Sequence, residues 1–330
     1  MSFGNSLLDE LATFMKVRIV LTAAALDFFT CLDQQPASAP ELAVRLATDS
    51  RATRRILDCL VGFGLVRQES GACYGLTESG MKLSSRHPDT ILPMVLHMNT
   101  MWDGWSHLTE TIRTGADPNR VLLSEASDPS IIRAFIGAMH VIGKHIAPKI
   151  AAAYDLKDYH CLLDIGGGSA VYTVAFLERY QHLRAVVFDL PFVLPLAEEK
   201  IVAAGLRERI RLIPGDFYKD ELPAGCDCAL LSAIIHQNSP EQNVGLFKKI
   251  YKSLDAGGCL LIRDHIMEPC RTRPVAGAVF AINMLIHTPG GDTYTFEEVR
   301  EQLDVAGFTG IAVVCTGEKM DCLVEAHKPR

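Results

Sequence analysis

The second half of the chain alternates between two patterns of apolar and polar residues. Short apolar runs bounded by polar or glycine-rich turns are typical of buried strands, and apolar residues three or four positions apart are typical of helices. The predicted strands are 161–165, 184–188, 210–213, 228–235 and 259–263, followed by a closing antiparallel pair at 311–315 and 322–326. The predicted helices are 171–180, 241–254, 280–286 and 296–306, with another that closes at 201–206. Because strands and helices alternate, we expect a mostly parallel α/β sheet.

The first part of the chain predicts helices followed by a hairpin. The predicted helices are 7–30, 39–46 and 51–62, and the predicted hairpin strands are 64–67 and 73–76. Asp49 and Ser50 fit an N-terminal cap for the third helix. This order predicts a winged-helix domain, and the strongly apolar first helix predicts a dimer surface.

Helical patterns continue from residue 89 to residue 153. Trp102 and Trp105 fall in one predicted helix, and Phe135, Met139 and Ile142 mark one face of a later helix. The predicted boundaries are a winged-helix-like domain at 1–90, a helical region at 91–153 and an α/β domain at 154–330.

Composition and charge narrow the classes of function. The net charge of −7 argues against nucleic acid as the main partner, although Arg51, Arg54 and Arg55 on the third helix keep a DNA-binding regulator open. The sequence has no run of eighteen apolar residues and no export signal, which predicts no membrane span. The ten cysteines lack metal-ligand spacing, and Cys226 with Cys228 fits a buried strand. With no export signal, they predict a reducing, cytoplasmic location and no metal site.

Candidate chemistry begins at a glycine turn after the first strand of the α/β region. Asp164 is followed by Gly166, Gly167 and Gly168, and the next strand ends at Asp189. Such a turn lets a ligand approach the backbone, and an acid at the second strand's end is placed to accept hydrogen bonds from ribose hydroxyls. NAD and S-adenosylmethionine both remain candidates, although the spacing is not that of the dinucleotide fingerprint. The alternative is a strand–helix turn without a ligand.

The order of further motifs resembles a known family. The motifs are Asp164-Ile165-Gly166-Gly167-Gly168, Phe188-Asp189-Leu190-Pro191, Gly215-Asp216-Phe217, a strand ending in His236, Asp255-Ala256-Gly257-Gly258, Asn283-Met284-Leu285 and the turn at Gly290-Gly291. Together they resemble the S-adenosylmethionine-dependent O-methyltransferases of the plant caffeate and animal hydroxyindole type, including bacterial small-molecule enzymes. The resemblance covers nearly the whole chain. It implies a Rossmann-like class I methyltransferase sheet and a homodimer formed through the N-terminal domain, with 91–153 as a lid over the active site.

The resemblance also implies roles for individual residues. The cofactor-binding residues would be Asp164, Gly166, Gly168, Asp189, Leu190, Asp216, Phe217 and Ser232. His236 would be the general base, oriented by Asp264. The substrate-binding residues would be Trp105, Met139, Asn283 and Met284. No metal would take part, because an in-line methyl transfer needs alignment and a deprotonated nucleophile.

The chain departs from the family's pattern in three places. The family commonly has His-Asp-Trp where this chain has His236-Gln237-Asn238, and Thr293 stands where a second acid is expected, with Asp292 and Glu297 nearby. Ala170 replaces the glycine that closes the turn. We therefore expect methyl transfer to a hydroxyl of a small aromatic or conjugated molecule. Carbon methylation, or another reaction that retains the cofactor, is the alternative.

Overall fold

The computed structural model describes residues 6–117, 120 and 129–330. The chain forms two compact units, one of Met1–Asp103 with Arg133–Val141 and the other of Gly104–Ile132 with Ile142–Arg330. The three-part division at 1–90, 91–153 and 154–330 stays a prediction, and residues 1–5, 118–119 and 121–128 of it lie outside the described residues.

The first unit is built mainly of helices around a small antiparallel sheet. Its elements are α1 (Ser6–Ala25), α2 (Phe28–Gln34), β1 (Ala37–Ser38), α3 (Ala39–Leu46), α4 (Ser50–Gly62), β2 (Val66–Gln68), β3 (Cys73–Leu76) and α5 (Glu78–Met81). The helix α6 (Leu92–Ser106) follows and crosses the boundary between the units. The predicted hairpin is confirmed as the antiparallel pair β2–β3, and β1 pairs with the other edge of β3. The winged-helix assignment stays a prediction.

Local capping explains where two of these helices begin. Ser38 and Glu41 form a reciprocal capping box at the start of α3, and Pro40 occupies its first turn. Asp49 caps α4 by accepting a hydrogen bond from the Ala52 N–H at 2.8 Å, which confirms the predicted cap. The prediction of one helix over 7–30 was wrong, because Asp27 adopts a left-handed conformation (φ 61°) that separates α1 from α2.

The second unit contains the large sheet. Its remaining helices are α7 (Leu108–Thr114), α8 (Pro129–Ala153), α9 (Val171–Arg179), α10 (Leu194–Ala203), α11 (Pro240–Ser253), α12 (Val275–His287) and α13 (Phe296–Ala306), with α8 contributing residues to both units. Its strands are β4 (Cys161–Ile165), β5 (Arg184–Asp189), β6 (Ile210–Pro214), β7 (Cys226–Ser232), β8 (Leu254–Asp264), β9 (Ile266–Met267), β10 (Tyr294–Thr295), β11 (Thr309–Cys315) and β12 (Cys322–His327). The short strands β9 and β10 pair with each other in a separate parallel ladder.

Seven strands form the sheet in the order β11-β12-β8-β7-β4-β5-β6. The five from β4 to β8 are parallel, and β12 runs antiparallel to both β8 and β11. The α/β fold class and the closing antiparallel pair are therefore confirmed. Because β5 and β7 lie on opposite sides of β4, the chain changes direction across the sheet there. Open α/β sheets bind ligands at the carboxyl ends of strands around such a point.

The two faces of the sheet pack against separate layers. One apolar core cluster contains Leu162, Leu230 and Leu261 and packs against helices α8 to α10. The other contains Leu163, Leu231 and Ile262 and packs against α11 and α13. Adjacent strand residues alternate between the clusters, as the pleat of a strand requires. Among the described residues, no helix combines the length and apolar character needed to cross a membrane.

Candidate active site

The glycine turn lies between β4 and α9 in a conformation that few residue types can adopt. Gly166 (φ 67°), Gly168 (φ 56°) and Ala170 (φ 59°) all have left-handed backbones. A Cβ at Gly166 would lie 2.8 Å from Ile234 Cδ1 and 3.3 Å from Phe217 Cε1. Glycine therefore allows Ile234 and Phe217 to pack closely against the turn, while Ala170 adopts its left-handed angle at a steric cost of about 1–2 kcal/mol.

Asp189 at the end of β5 joins the glycine turn to the next strand. Its carboxylate accepts a hydrogen bond from the Gly168 N–H and another from the Leu190 N–H, each at 2.7 Å. Burial raises the pKa of Asp189, and the two N–H donors oppose that rise. The structure thus brings Gly168, Asp189 and Leu190 into direct contact, on the elements that the sequence predicted.

Asp164 is a fully buried acid beneath the turn. Its Oδ2 accepts a hydrogen bond from the Thr173 hydroxyl at 2.5 Å, and its Oδ1 is buried without a partner among the described residues. Burial, with a smaller contribution from the nearby Asp189, raises the pKa of Asp164 to about 7 against the opposing effect of the Thr173 hydrogen bond. An unpartnered buried carboxylate oxygen is costly, so a cationic or hydrogen-bond-donating ligand group would stabilise it.

The loop that carries Asp216 and Phe217 follows β6 and is held by a lysine on α11. Lys249 on α11 donates hydrogen bonds to the carbonyl oxygens of Phe217, Tyr218 and Asp220, each at 3.0 Å. The Asp216 carboxylate accepts from the Tyr218 N–H at 2.9 Å and pairs with Lys219 at 3.0 Å. Burial alone would raise the pKa of Asp216, but these partners lower it overall. The Gly215 N–H donates to the Asp189 carbonyl at 2.9 Å, so this loop adjoins β5.

His236 does not end its strand as the sequence predicted. The strand β7 ends at Ser232, and His236 lies in a short 3-10 turn, Ile235–Gln237. The reason is Ala233, whose backbone is left-handed (φ 58°) and whose N–H donates to the Arg263 carbonyl at 2.7 Å. That contact turns the chain away from the sheet, so the prediction of a strand over 228–235 was wrong at its end.

His236 and Asp264 form a buried hydrogen-bonded pair. The Nδ1 of His236 lies 2.9 Å from both carboxylate oxygens of Asp264, which ends β8. A carboxylate accepts hydrogen bonds, so Nδ1 carries the proton and Nε2 presents a lone pair. Burial alone would raise the pKa of Asp264, but His236, the His265 N–H and Arg263 together lower it. The pair is thus an ionised acid holding one tautomer of the imidazole.

Aromatic and backbone contacts hold the imidazole in place. The Phe280 ring on α12 packs edge-on against His236, with ring centroids 4.8 Å apart and planes at 90°. A Cβ at Gly291 would lie 2.3 Å from the His236 carbonyl oxygen, so the Gly290-Gly291 turn approaches the backbone closely. Phe280 was not predicted, although its helical spacing to Asn283 and Met284 was a usable signal.

Two departures from the family's pattern have a structural explanation. Asn238 is fully buried and donates to Asn243 at 2.9 Å, and Asn243 in turn donates to the Ile235 carbonyl at 3.1 Å. These polar contacts hold the turn at Asn238, the position at which the family commonly has tryptophan. Thr293 is buried and its hydroxyl donates to the Gly277 carbonyl at 3.4 Å, while Asp292 pairs with Arg271. Neither residue supplies a second carboxylate to His236.

The predicted substrate-binding residues fall in both units. Trp105 Nε1 donates to Asn283 Oδ1 at 3.0 Å, and Met284 is buried on the same helix α12. A Cβ at Gly104 would lie 2.8 Å from His287 Cε1, which shows how closely the end of α6 approaches α12. Met139 is half-buried in the part of α8 that belongs to the first unit, and its role stays a prediction.

Comparisons with known proteins identify the family. The sequence profile of the O-methyltransferase domain matches residues 105–309, and that of the O-methyltransferase dimerisation domain matches residues 8–85. The chain belongs to the O-methyltransferase family. The family predicted from the order of motifs is therefore confirmed, as is an N-terminal dimerisation domain.

Relatives of this O-methyltransferase act on different molecules. It is 32% identical to 3-hydroxy-5-methyl-1-naphthoate 3-O-methyltransferase of Streptomyces sahachiroi, over 94% of this chain and 91% of that protein. It is 28% identical to acetylserotonin O-methyltransferase of Gallus gallus, over 94% of each chain. An O-methyltransferase from neocarzinostatin biosynthesis, solved with S-adenosylmethionine and 2-hydroxy-5-methyl naphthoic acid, is 25% identical with a TM-score of 0.78, covering 96% of both chains. The S-adenosylmethionine-dependent class implied by the motifs is thereby confirmed.

Proposed function

We propose that this O-methyltransferase moves the methyl group of S-adenosylmethionine to a hydroxyl of a small aromatic or conjugated molecule, with His236 as general base. The observation that carries the proposal is the buried His236–Asp264 pair beside the carboxyl ends of β7 and β8. Aromatic acceptors are supported by the naphthoate and acetylserotonin named for two relatives.

The residues around the glycine turn fit the cofactor. The left-handed backbones of Gly166 and Gly168 and the unpartnered oxygen of Asp164 are the observations that support this fit. Asp189 would accept hydrogen bonds from the ribose hydroxyls, and Asp216 and Phe217 would hold the adenine, with Gly168, Leu190 and Ser232 completing the site. When bound, S-adenosylmethionine supplies a methyl group on a positively charged sulfur.

The proton of the acceptor would move to His236. A phenol titrates near 10, so its hydroxyl keeps a proton at neutral pH and is a weak nucleophile until that proton leaves. Nε2 of His236 takes this proton, and the ionised Asp264 stabilises the imidazolium that forms. Trp105, Asn283 and Met284 would orient the acceptor's ring, since alignment of the reacting atoms supplies much of such a rate.

The dimerisation domain supports a homodimer as the functional state. The helix α1 exposes Leu7, Leu8, Leu11, Phe14 and Met15, each more than 40% accessible in the single chain. Apolar residues at this spacing form a stripe that a second copy of the chain would cover. Cytoplasmic location and the absence of nucleic-acid binding stay predictions from cysteine content and charge.

The test is methyl transfer by the variants His236→Gln and Asp264→Asn. The probes are 3-hydroxy-5-methyl-1-naphthoate and N-acetylserotonin, with the product's methylated atom assigned by NMR. Losing a general base typically costs a factor of about 10²–10⁴, so we expect kcat to fall by that factor in His236→Gln. S-adenosylhomocysteine should bind both variants as it binds the wild type. His182→Gln, at an exposed histidine, is the control.

Carbon methylation is the second candidate, and the observation that favours it is the single carboxylate at His236. If His236→Gln retained full activity, or if NMR placed the new methyl on carbon, the proposed O-methylation by base catalysis would be rejected.

A further inference from the structure

Arg263 is a buried cation near the end of β8 that lacks an acidic partner. Its side chain is 3% exposed and follows the apolar run Leu260–Ile262. Nη1 donates to the Ser232 hydroxyl at 3.2 Å, and Nε is buried without any partner. In the part of the chain that the structure describes, no carboxylate oxygen lies within 4 Å of the guanidinium. A buried guanidinium in this state is costly unless an anion completes its hydrogen bonds.

Asp264 cannot fill this role, although it is the next residue. Successive side chains on a strand point to opposite faces of the sheet. The guanidinium of Arg263 lies 4.9 Å from the ring centroid of Tyr172 on α9, whereas Asp264 turns to the other face and holds His236. The anion that Arg263 lacks therefore belongs on the α9 face, behind the glycine turn.

Two other unpartnered polar atoms lie on the α9 face of the sheet, as Arg263 does. Tyr172, in the first turn of α9, has a hydroxyl that is buried without a hydrogen-bond partner. Burial raises the pKa of Tyr172, while the charge of Arg263 lowers it, so the two groups are neighbours. Asp164 on β4 points to the same face, and its Oδ1 is also unpartnered. Arg263 and Asp164 both act on Tyr172, and among the described residues they form no ion pair with each other.

We infer that Arg263, with Ser232 and Tyr172, binds the carboxylate of the amino-acid portion of the methyl donor. Asp164 then faces the ammonium group of that same portion, so that a zwitterionic ligand completes both buried charges. This inference rests on the proposed use of S-adenosylmethionine. An acceptor's carboxylate is the other possible source of the anion. The position of Arg263 on the α9 face argues against an acceptor's carboxylate, because His236 and Asp264 lie on the opposite side of the sheet.

The test is calorimetric binding of two ligands that differ only in the carboxylate: S-adenosylhomocysteine and its decarboxylated analogue. Hydrogen bonds to charged groups are worth enough to change affinity by about 10- to 100-fold. We expect the wild type to prefer S-adenosylhomocysteine by that factor. Arg263→Met should lose the preference and keep its affinity for the decarboxylated analogue. Arg263→Lys should restore part of the preference for S-adenosylhomocysteine. Arg211→Met, at an exposed arginine on β6, should leave both affinities unchanged.

Ser232→Ala provides a milder variant in case Arg263→Met does not fold, and it should reduce the same preference. An equal loss of affinity for both ligands would mean that Arg263 is structural, and a wild type without preference would overturn the inference directly. If only 3-hydroxy-5-methyl-1-naphthoate bound Arg263→Met more weakly, the anion would be the acceptor's. A folded wild type that bound neither nucleoside would overturn the proposed function itself.

Discussion

Asp164 is a residue whose burial is costly and which belongs to the proposed cofactor site. It lies fully buried, with one hydrogen bond to Thr173 and one unpartnered oxygen. Burial favours the uncharged, protonated form of such a carboxyl group in the free protein, and a cationic ligand group would favour its charged form. The same residue therefore lowers the stability of the unliganded fold, and in the proposed cofactor site it would face the ligand.

The first prediction concerns the pH dependence of stability. The pKa of Asp164 is raised from 3.8 to about 7 in the folded state, so between these values the folded protein holds a proton that the unfolded chain releases. The free energy of unfolding should therefore fall as pH rises from about 4 to 7, by on the order of 3–4 kcal/mol for this group. Asp164→Asn should lack this component.

Urea unfolding of the ligand-free wild type and of Asp164→Asn at pH 5 and pH 8 checks this difference. The comparison cancels the other titrating groups, which both proteins share. If both proteins lost the same stability between these two pH values, Asp164 would not be the group responsible.

At single positions, the sequence predicted correctly where a residue lies when that residue stands at or near a strand end. The positions of Asp164 and Asp189 were predicted from apolar runs and a glycine turn, both local patterns. The turn that carries His236 was not predicted, because Ala233 adopts a left-handed angle through a hydrogen bond to Arg263 on a neighbouring strand. Arg263 itself was missed, although an arginine directly after a buried apolar run was a visible signal.

At the scale of elements, the predicted types were correct and the errors fell at boundaries. The bounds of α3 and α13 match the predicted ones to the residue, and in the structure Ser38 and Thr295 form capping boxes at the starts of these helices. The break between α1 and α2 has no such signal, since Asp27 stands where no glycine or proline marks a turn. The two-residue strand β1 depends on pairing with β3 and has no pattern of its own.

A second prediction belongs to the helix α1. Replacing both Leu11 (62% exposed) and Phe14 (58% exposed) by aspartate should place two charges in the proposed dimer contact. Central apolar contacts typically contribute about 1–2 kcal/mol or more each, so the dissociation constant should rise by about 100-fold or more. Sedimentation velocity at micromolar concentration would then show monomer.

Val44→Asp on α3 is the matched control, because Val44 is 83% exposed and lies outside the stripe on α1. This variant should sediment as the wild type does. A double variant of α1 that remained dimeric would mean that the copies associate through another surface.

At the scale of the whole molecule, the sheet order brings several of the proposed groups of the second unit to one edge of the sheet. The strands β4, β5, β7 and β8 end there, and they deliver the glycine turn, Asp189, Ser232 and Asp264. Alternation of strands and helices predicted this arrangement, because parallel strands all end at the same edge. The contacts of Phe280 and Lys249 were beyond such reasoning, since each joins elements that are distant in the chain.

The most direct test of the account is a calorimetric titration of S-adenosylhomocysteine into the wild type and into Asp189→Asn. This substitution keeps the shape of the side chain and removes the charged acceptor for the ribose hydroxyls. We expect wild-type binding in the micromolar range, weakened by about 10- to 100-fold in the variant. Asp304→Asn on the exposed side of α13 should bind as the wild type does. A folded wild type that binds no S-adenosylhomocysteine, or an Asp189→Asn variant with undiminished affinity, would contradict the cofactor site proposed at this turn.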